Sequence, residues 1–144
     1  IYRPLNNIFL NKIMEKIRKK FICKHQIKKG MSGAREIIKL YKDGFSMALM
    51  IDQRVREGIK LNFFGEPAST TTIPAQLVKK FGCKIVPIYI ERIDKFYYKM
   101  KINSPLNFDK NHSIENISSI LNTELEKMVL KKPSQWIWSH DRWK

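Results

Sequence analysis

The chain has 144 residues, which is enough for one domain with a core of its own. Its apolar fraction of 43% is ordinary for a folded protein and argues against wholesale disorder. Lys and Arg number 28 against 13 Asp and Glu, so the net charge is +15 and the partners that fit are anionic. The longest uncharged stretch, residues 67–78, is shorter than the roughly 20 apolar residues of a transmembrane helix.

The first third of the chain predicts two amphipathic helices. Apolar residues recur every three or four positions across residues 5–21, and Pro4 suits the first turn. The opposite face of this helix is strongly basic and carries Lys12, Lys16, Arg18, Lys19 and Lys20. A second helix is predicted from Ser32 to Lys42, with Gly44 as its stop. Its apolar face comprises Ala34, Ile37, Ile38 and Tyr41.

The remaining elements alternate between strands and helices. Phe45 to Ile51 reads as a buried strand of the kind that parallel sheets contain, and the following residues up to Thr72 read as a loop. The later elements in chain order are a helix from Ile73 to Phe81 closed by Gly82, strands from Lys84 to Glu91 and from Phe96 to Ile102, and a helix over residues 113–131 capped by Ser113. This order predicts an α/β fold with a mixed sheet flanked by helices.

Five segments in this order resemble one known family. They are IYRPLNN at the start, FSMALMI followed by Asp52 and Gln53, the loop REGIKLNFFGEPASTTT with the helix IPAQLVKKFG, the run IVPIYIER, and QWIWSHDRW at the end. The order is similar to that of the lipid A biosynthesis acyltransferases, bacterial enzymes that add secondary acyl chains to a lipopolysaccharide precursor. The resemblance covers nearly the whole chain. It implies a glycerolipid-acyltransferase-like fold, an acyl carrier protein thioester as donor, a lipid A precursor as acceptor, and no cofactor.

The resemblance also implies a catalytic motif that this sequence does not contain. Family members carry a His-x4-Asp/Glu motif upstream of a tyrosine-arginine-proline segment, which here is Tyr2-Arg3-Pro4. None of His25, His112 and His140 has an acidic residue at the required spacing. We therefore expect residues 1–144 to be the C-terminal part of a single acyltransferase domain, incomplete at its N-terminus and inactive alone. In the intact enzyme the histidine would act as general base at the cytoplasmic face of the inner membrane.

The candidate site residues follow the predicted strands. Asp52 and Gln53 come directly after an apolar run, where functional groups of α/β folds collect. Asp52 is expected to orient the catalytic histidine or an acceptor hydroxyl, and the alternative is a carboxylate that caps a turn. Arg3 and Arg92 are expected to bind a phosphate or the phosphopantetheine of the carrier, and otherwise are surface charges. Thr71 belongs to a threonine run that contacts substrate or caps the next helix.

Aromatic residues and cysteines leave further alternatives. Phe63 and Phe64 form either an exposed acyl-chain groove or a packed loop. The C-terminal tryptophans suit a membrane interface, or packing of the tail onto the sheet, which we favour for Trp136 and Trp138. Cys23 and Cys83 lack metal-ligand spacing and are interpreted as reduced core residues. The spacing of His and Cys indicates no metal site.

Rival functions remain from two other classes. A basic nucleic-acid-binding module would explain the charge, but no recognised motif appears, so no nucleic-acid partner is predicted. A catalytically silent domain that docks on anionic membrane through residues 5–21 is the second. Among acyltransferases, the alternative acceptors are a glycolipid mannoside and a glycerophospholipid, and Asp52-Gln53 favours the lipid A branch.

Overall fold

The structure, a computed structural model, describes residue 2, residues 4–28 and residues 31–144, without the side chains of residues 31, 32 and 34. The candidate Arg3 and the side chain of Ala34 lie outside this description. The chain forms two compact units, Ile1–Leu49 and Met50–Lys144, called below the N-terminal unit and the C-terminal unit.

The N-terminal unit contains both predicted helices. Helix α1 spans Ile8–Phe21 and helix α2 spans Met31–Lys42. The side-chain oxygen of Asn7 accepts hydrogen bonds from the first backbone N–H groups of α1, so the helix begins three residues later than predicted and leaves Pro4 outside. Gly44 has φ +85° after α2, as its predicted role as a stop requires.

A short polar cluster joins the start of the N-terminal unit to α1. The backbone N–H of Tyr2 donates to the carbonyl of Ile27 at 2.9 Å, and its hydroxyl donates to Glu15 Oε1 at 2.5 Å. Lys28 Nζ lies 3.3 Å from the same carboxylate oxygen, and the guanidinium of Arg18 lies 4.8 Å from the centre of the Tyr2 ring. The N-terminal end of the chain is thus fixed to α1 by a phenol, a carboxylate and two cations.

The C-terminal unit is a mixture of hairpins and helices, and the predicted mixed α/β class is confirmed. Its elements in order are β1 Ile59–Phe63, β2 Glu66–Thr70, α3 Ile73–Phe81, β3 Ile88–Asp94, β4 Tyr97–Ile102 and α4 Ile114–Lys131. Two short 3-10 turns, Pro133–Gln135 and Trp138–His140, follow. The strands form two separate antiparallel pairs, β1 with β2 and β3 with β4.

The strand predicted from Phe45 to Ile51 is not formed. The segment has no strand partner among the described residues, and Phe45 and Met50 are 46% and 84% exposed. A run of apolar residues favours a buried strand only where a neighbouring ladder accepts its backbone hydrogen bonds. Ile51 alone packs against the core, and it therefore fixes the position of Asp52 next to it.

A hairpin occupies the region predicted to be a loop. β1 and β2 pair from Ile59 opposite Thr70 to Phe63 opposite Glu66, so only Phe64 and Gly65 form the turn. Both turn residues have positive φ, +55° and +85°, as a two-residue hairpin turn of type I′ requires. The sequence concealed the hairpin because phenylalanine is rare at such a turn position.

The other predicted elements are present with shifted ends. α3, β4 and the long α4 with its cap Ser113 are confirmed within one residue. The strand predicted from Lys84 to Glu91 instead spans Ile88–Asp94. Its apolar residues Ile88 and Ile90 are 49% and 53% exposed.

The core of the C-terminal unit lies between α3 and α4. Ala75 and Ile117 are fully buried and Leu121 is 4% exposed. Partly buried side chains from the loops pack against these three residues, namely Ile51, Val78, Ile85, Leu106 and Phe108. The loop that carries Asp52 is therefore attached to this core through Ile51.

Both cysteines are free thiols, in the N-terminal unit at Cys23 and in the C-terminal unit at Cys83. Cys23 is exposed, so the prediction that it lies in a core is wrong. Cys83 is half-buried, and burial raises the pKa of its thiol.

Among the described residues, no helix combines the length and the apolar character that crossing a membrane requires.

Candidate functional site

A small cavity joins the predicted Asp52 loop to the C-terminal end of the chain. Its volume is about 70 Å³, and its lining residues are Asp52, Gln53, Trp136, Ile137 and His140. A carboxylate, an amide and an imidazole therefore share one cavity with an indole ring. Such a group of acceptors and donors beside an aromatic face suits a hydroxyl-bearing ligand.

The C-terminal wall of this cavity consists of Trp136, Ile137 and His140. Hydrogen bonds of the Gln135 side-chain amide hold the chain at the start of this wall. Gln135 Nε2 donates to the carbonyl of Arg92 at 2.7 Å, and Gln135 Oε1 accepts from the backbone N–H of Arg92 at 2.9 Å. The side chain of Gln135 thus pairs with the edge of β3 as another strand would. Trp138 Nε1 donates to the carbonyl of Pro133 at 2.8 Å, which closes the short segment on itself.

Aromatic packing attaches the same wall to the β1–β2 hairpin. The ring of Trp136 lies 5.7 Å from that of Phe63 and 4.6 Å from that of Trp138. Phe63 is fully buried, so the prediction of an exposed groove formed by Phe63 and Phe64 is wrong. The alternative prediction, a packed loop, is confirmed for Phe63. The predicted packing of the tryptophan tail is confirmed for Trp136, whereas Trp138 remains 48% exposed.

Behind the wall lies Arg142, a fully buried arginine that the sequence analysis did not single out. Its guanidinium stands 4.1 Å from the centre of the Phe63 ring, and Nη2 donates to Asn122 Oδ1 at 3.2 Å. Burial lowers the pKa of Arg142, and the negative charges of Asp52 and Glu126 counteract this effect. The only hint of this arginine in the sequence is its place next to Trp143 in QWIWSHDRW. The periodicity of the sequence does not predict that Arg142 is buried.

A polar network links the buried arginine to α4 and both strands of the hairpin. Asn122, 2% exposed, donates from Nδ2 to the carbonyl of Asn62 and to Thr70 Oγ1, both at 2.9 Å. Thr70 Oγ1 donates in turn to the carbonyl of Ala68 at 3.2 Å. Buried polar groups with partners on three elements define one arrangement of those elements, because any other leaves them unsatisfied.

The structure brings together two of the predicted site residues, Asp52 and Gln53. Thr71 follows β2, and its Oγ1 lies 3.4 Å from the backbone N–H of Ile73, at the start of α3. Arg92 was predicted at a strand end but lies inside β3, opposite Tyr98, because the strand runs on to Asp94. Sequence reasoning considered His140 for the His-x4 motif and as a neighbour of the C-terminal tryptophans, and missed its place beside Asp52 and Gln53.

A second, wider cavity lies on the polar face of the β3–β4 hairpin. Its volume is about 150 Å³, and it is lined by Tyr89, Glu91, Lys99, Lys101 and Lys131. Lys131 Nζ stands 4.9 Å from the centre of the Tyr89 ring.

The part of the chain that the structure describes contains no group of three or more His, Cys, Asp or Glu residues arranged to hold a metal ion.

The chain is thus a mixed α/β protein with a small cavity lined by Asp52, Gln53 and His140. The family model described as bacterial lipid A biosynthesis acyltransferase matches residues 1–144, and the chain belongs to this family. Membership implies acyl transfer in lipid A biosynthesis and a lipid A-type acceptor. No curated protein sequence gives a significant match to the chain.

Proposed function

We propose that this protein takes part in transferring a fatty acyl chain from an acyl carrier protein thioester to a hydroxyl of a lipid A precursor. The observation that supports this proposal is that Asp52 and Gln53 line a cavity. The chain that contains this cavity matches the acyltransferase family over residues 1–144. The reaction class follows from the family, and the donor and the acceptor hydroxyl are the proposal.

Asp52 is assigned to the acceptor hydroxyl. Its carboxylate accepts hydrogen bonds only, and Gln53 beside it can donate as well as accept. Trp136 and Ile137 supply apolar surface in the same cavity, against which the apolar part of the acceptor can pack. Arg3, Arg92 and Thr71 stay predictions for binding the donor or the acceptor. Among the candidates that the structure describes, Asp52 and Gln53 line the cavity, and Arg92 and Thr71 do not.

The proposed step forms one ester bond and breaks one thioester bond. The acceptor hydroxyl gives its proton to the histidine base that the family resemblance implies, and its oxygen attacks the thioester carbonyl. The tetrahedral intermediate collapses with loss of the carrier thiolate, which takes up the proton. Asp52 contributes by fixing the direction of the hydroxyl, a positioning effect that reactions of this kind depend on steeply.

Acyl transfer by the intact protein tests this function. Purified protein, acyl carrier protein thioester and lipid A precursor are combined, and acylated product is scored by mass spectrometry. Asp52→Asn is expected to lower kcat on the order of 100-fold, the typical effect of misplacing a reacting group, with little change in Tm. Asp43→Asn, in the exposed turn after α2, is the matched control and is expected to keep wild-type activity. Near-normal transfer by Asp52→Asn would return Asp52 to the turn-capping role.

The proposed location is the cytoplasmic face of the bacterial inner membrane, with anionic lipid bound by the basic face of α1. None of the residues of α1 is buried, and Phe9, Ile13 and Phe21 are 82%, 55% and 72% exposed. An exposed apolar stripe beside cations is the pattern of an interfacial helix. The basic face of α1 would also fit nucleic acid, but nucleic-acid binding does not require an exposed apolar stripe. We therefore favour the membrane as the partner.

A further inference from the structure

The C-terminal segment, residues 135–144, supplies three of the five residues that line the Asp52 cavity, namely Trp136, Ile137 and His140. Its regular structure is the last residue of one 3-10 turn and the whole of a second, so the cavity wall has no strand or long helix to hold it. A wall of this kind keeps its geometry only through tertiary contacts at particular residues.

Arg142 makes four of those contacts. Its Nη2 donates to Thr70 Oγ1 at 3.4 Å and to Asn122 Oδ1 at 3.2 Å, and its carbonyl accepts from the backbone N–H of Ser69 at 3.2 Å. Its guanidinium covers the ring of Phe63 at 4.1 Å. One side chain thereby touches β1, β2 and α4.

The neighbouring residues extend the same attachment. Trp143 Nε1 donates to the carbonyl of Phe63 at 3.0 Å, and Lys60 Nζ donates to the carbonyl of Trp143 at 3.3 Å. Asp141 has φ +40°, a left-handed turn that separates His140 in the cavity from Arg142 in the interior. The chain therefore turns between the cavity wall and Arg142.

Stability alone does not favour an arginine at this position. Among the described residues, no carboxylate lies within ion-pair distance of Arg142, and its Nε and Nη1 atoms are buried without partners. Burying a charge without a direct ion pair is costly, and an apolar side chain of similar size would commonly stabilise the fold more. Arginine adds a planar group, which stacks on the Phe63 ring and donates hydrogen bonds to β2 and α4.

We propose that Arg142 is a positioning residue for the Asp52 cavity, holding the C-terminal segment against the β1–β2 hairpin. The proposal rests on the proposed function in one respect, the placement of the acceptor hydroxyl in this cavity. Without the anchor, Trp136, Ile137 and His140 leave the wall, and the acceptor loses its binding surface while Asp52 stays attached through Ile51.

Tryptophan fluorescence tests the anchor without any activity measurement. All three tryptophans of residues 1–144 lie in the C-terminal segment, so within these residues acrylamide quenching reports on that segment. In the intact protein, Arg142→Ala is expected to raise the quenching constant about twofold, as local opening exposes the rings. Arg142→Lys keeps a cationic donor for Thr70 and Asn122 and is expected to stay closer to wild type. Arg35→Ala, at an exposed position of α2, is the matched control.

Kinetics then separate positioning from general stability. We expect Arg142→Ala to raise KM for the lipid acceptor about tenfold with a smaller change in kcat, the signature of lost binding. Arg142→Met retains volume in the interior and serves if the alanine variant does not fold, with the same expected rise in quenching and KM.

The two measurements have distinct failures. A folded Arg142→Ala or Arg142→Met variant with unchanged quenching overturns the anchoring role. Raised quenching with an unchanged acceptor KM supports the anchor and overturns the placement of the acceptor in this cavity, which belongs to the proposed function.

Discussion

At the scale of single residues, the Tyr2–Glu15 pair shows how local contacts set protonation. The hydrogen bond from Tyr2 is the largest cause that lowers the pKa of Glu15, from 4.5 to about 2, with smaller contributions from Asn11 and Lys28. Burial, and then the hydrogen bond to Glu15, raises the pKa of Tyr2 from 10.0 to about 12. Both shifts favour the same state, a carboxylate that accepts from a neutral phenol.

This pair predicts an acid-sensitive contribution to stability. Because the folded pKa of Glu15 lies below its unfolded value, the contribution is complete above pH 4.5 and is lost as the pH falls towards about 2. Glu15→Gln is expected to lower Tm at pH 7 and to flatten the dependence of Tm on pH in that window. Thermal unfolding at a series of pH values measures both effects.

Glu36→Gln, an exposed glutamate of α2, is the control for this prediction and is expected to keep the wild-type slope. An unchanged slope in Glu15→Gln would show that the Tyr2 hydrogen bond does not contribute to folding. Residue patterns gave no hint of the pair, because its members are 13 positions apart and meet only through the fold.

At the scale of elements, the β1–β2 hairpin depends on a glycine at its open end. A Cβ at Gly58 would lie 2.5 Å from the carbonyl oxygen of Thr70 and 2.6 Å from Val55 Cγ2. The first of these is backbone and cannot move aside without displacing the last residue of β2. Gly58 therefore permits the loop after Asp52 to pass close to the hairpin.

Gly58→Ala is predicted to destabilise the protein by about 1–3 kcal/mol, the usual range for overpacking. The comparison is Gly65→Ala in the hairpin turn, where φ is +85° and a Cβ would meet nothing within 4 Å. That variant is expected to cost about 1 kcal/mol from backbone strain alone. Urea unfolding of both variants ranks them, and a smaller effect at Gly58 would mean that β2 shifts freely.

The helices were predictable because their signals are local. α3 combines Pro74 in its first turn with Gly82 at φ +64° after its end, and α4 starts at Ser113, whose side chain accepts from the N–H of Asn116. The strands were less predictable, since pairing depends on which segments meet. The run from Phe45 to Ile51 has the composition of a strand and no partner in the described residues.

At the scale of the whole molecule, the charge of +15 is a statement about partners, and α1 concentrates part of it opposite an exposed apolar stripe. Each cation near an anionic surface contributes roughly 1 kcal/mol under favourable conditions. Lys12, Lys16 and Lys19 are all exposed on this helix.

Neutralising Lys12, Lys16 and Lys19 with glutamine is therefore predicted to weaken binding to anionic liposomes at low salt. Co-sedimentation of the intact protein measures this binding. Glutamine at Lys80, Lys84 and Lys110, three exposed positions in the C-terminal unit, removes the same charge and is expected to have a smaller effect. Equal losses in the two triple variants would assign binding to net charge and not to α1.

The sequence by itself determined the helices, the mixed α/β class, the family and the choice of Asp52 and Gln53 as candidates. These depend on local periodicity, caps and segment order, which a linear pattern records. Only the tertiary structure decided that His140 and Trp136 share a cavity with Asp52, and that Arg142 is buried behind them. More than 80 positions separate the two sides of that cavity, and contacts at such separation arise from packing, which no pattern of neighbouring residues encodes.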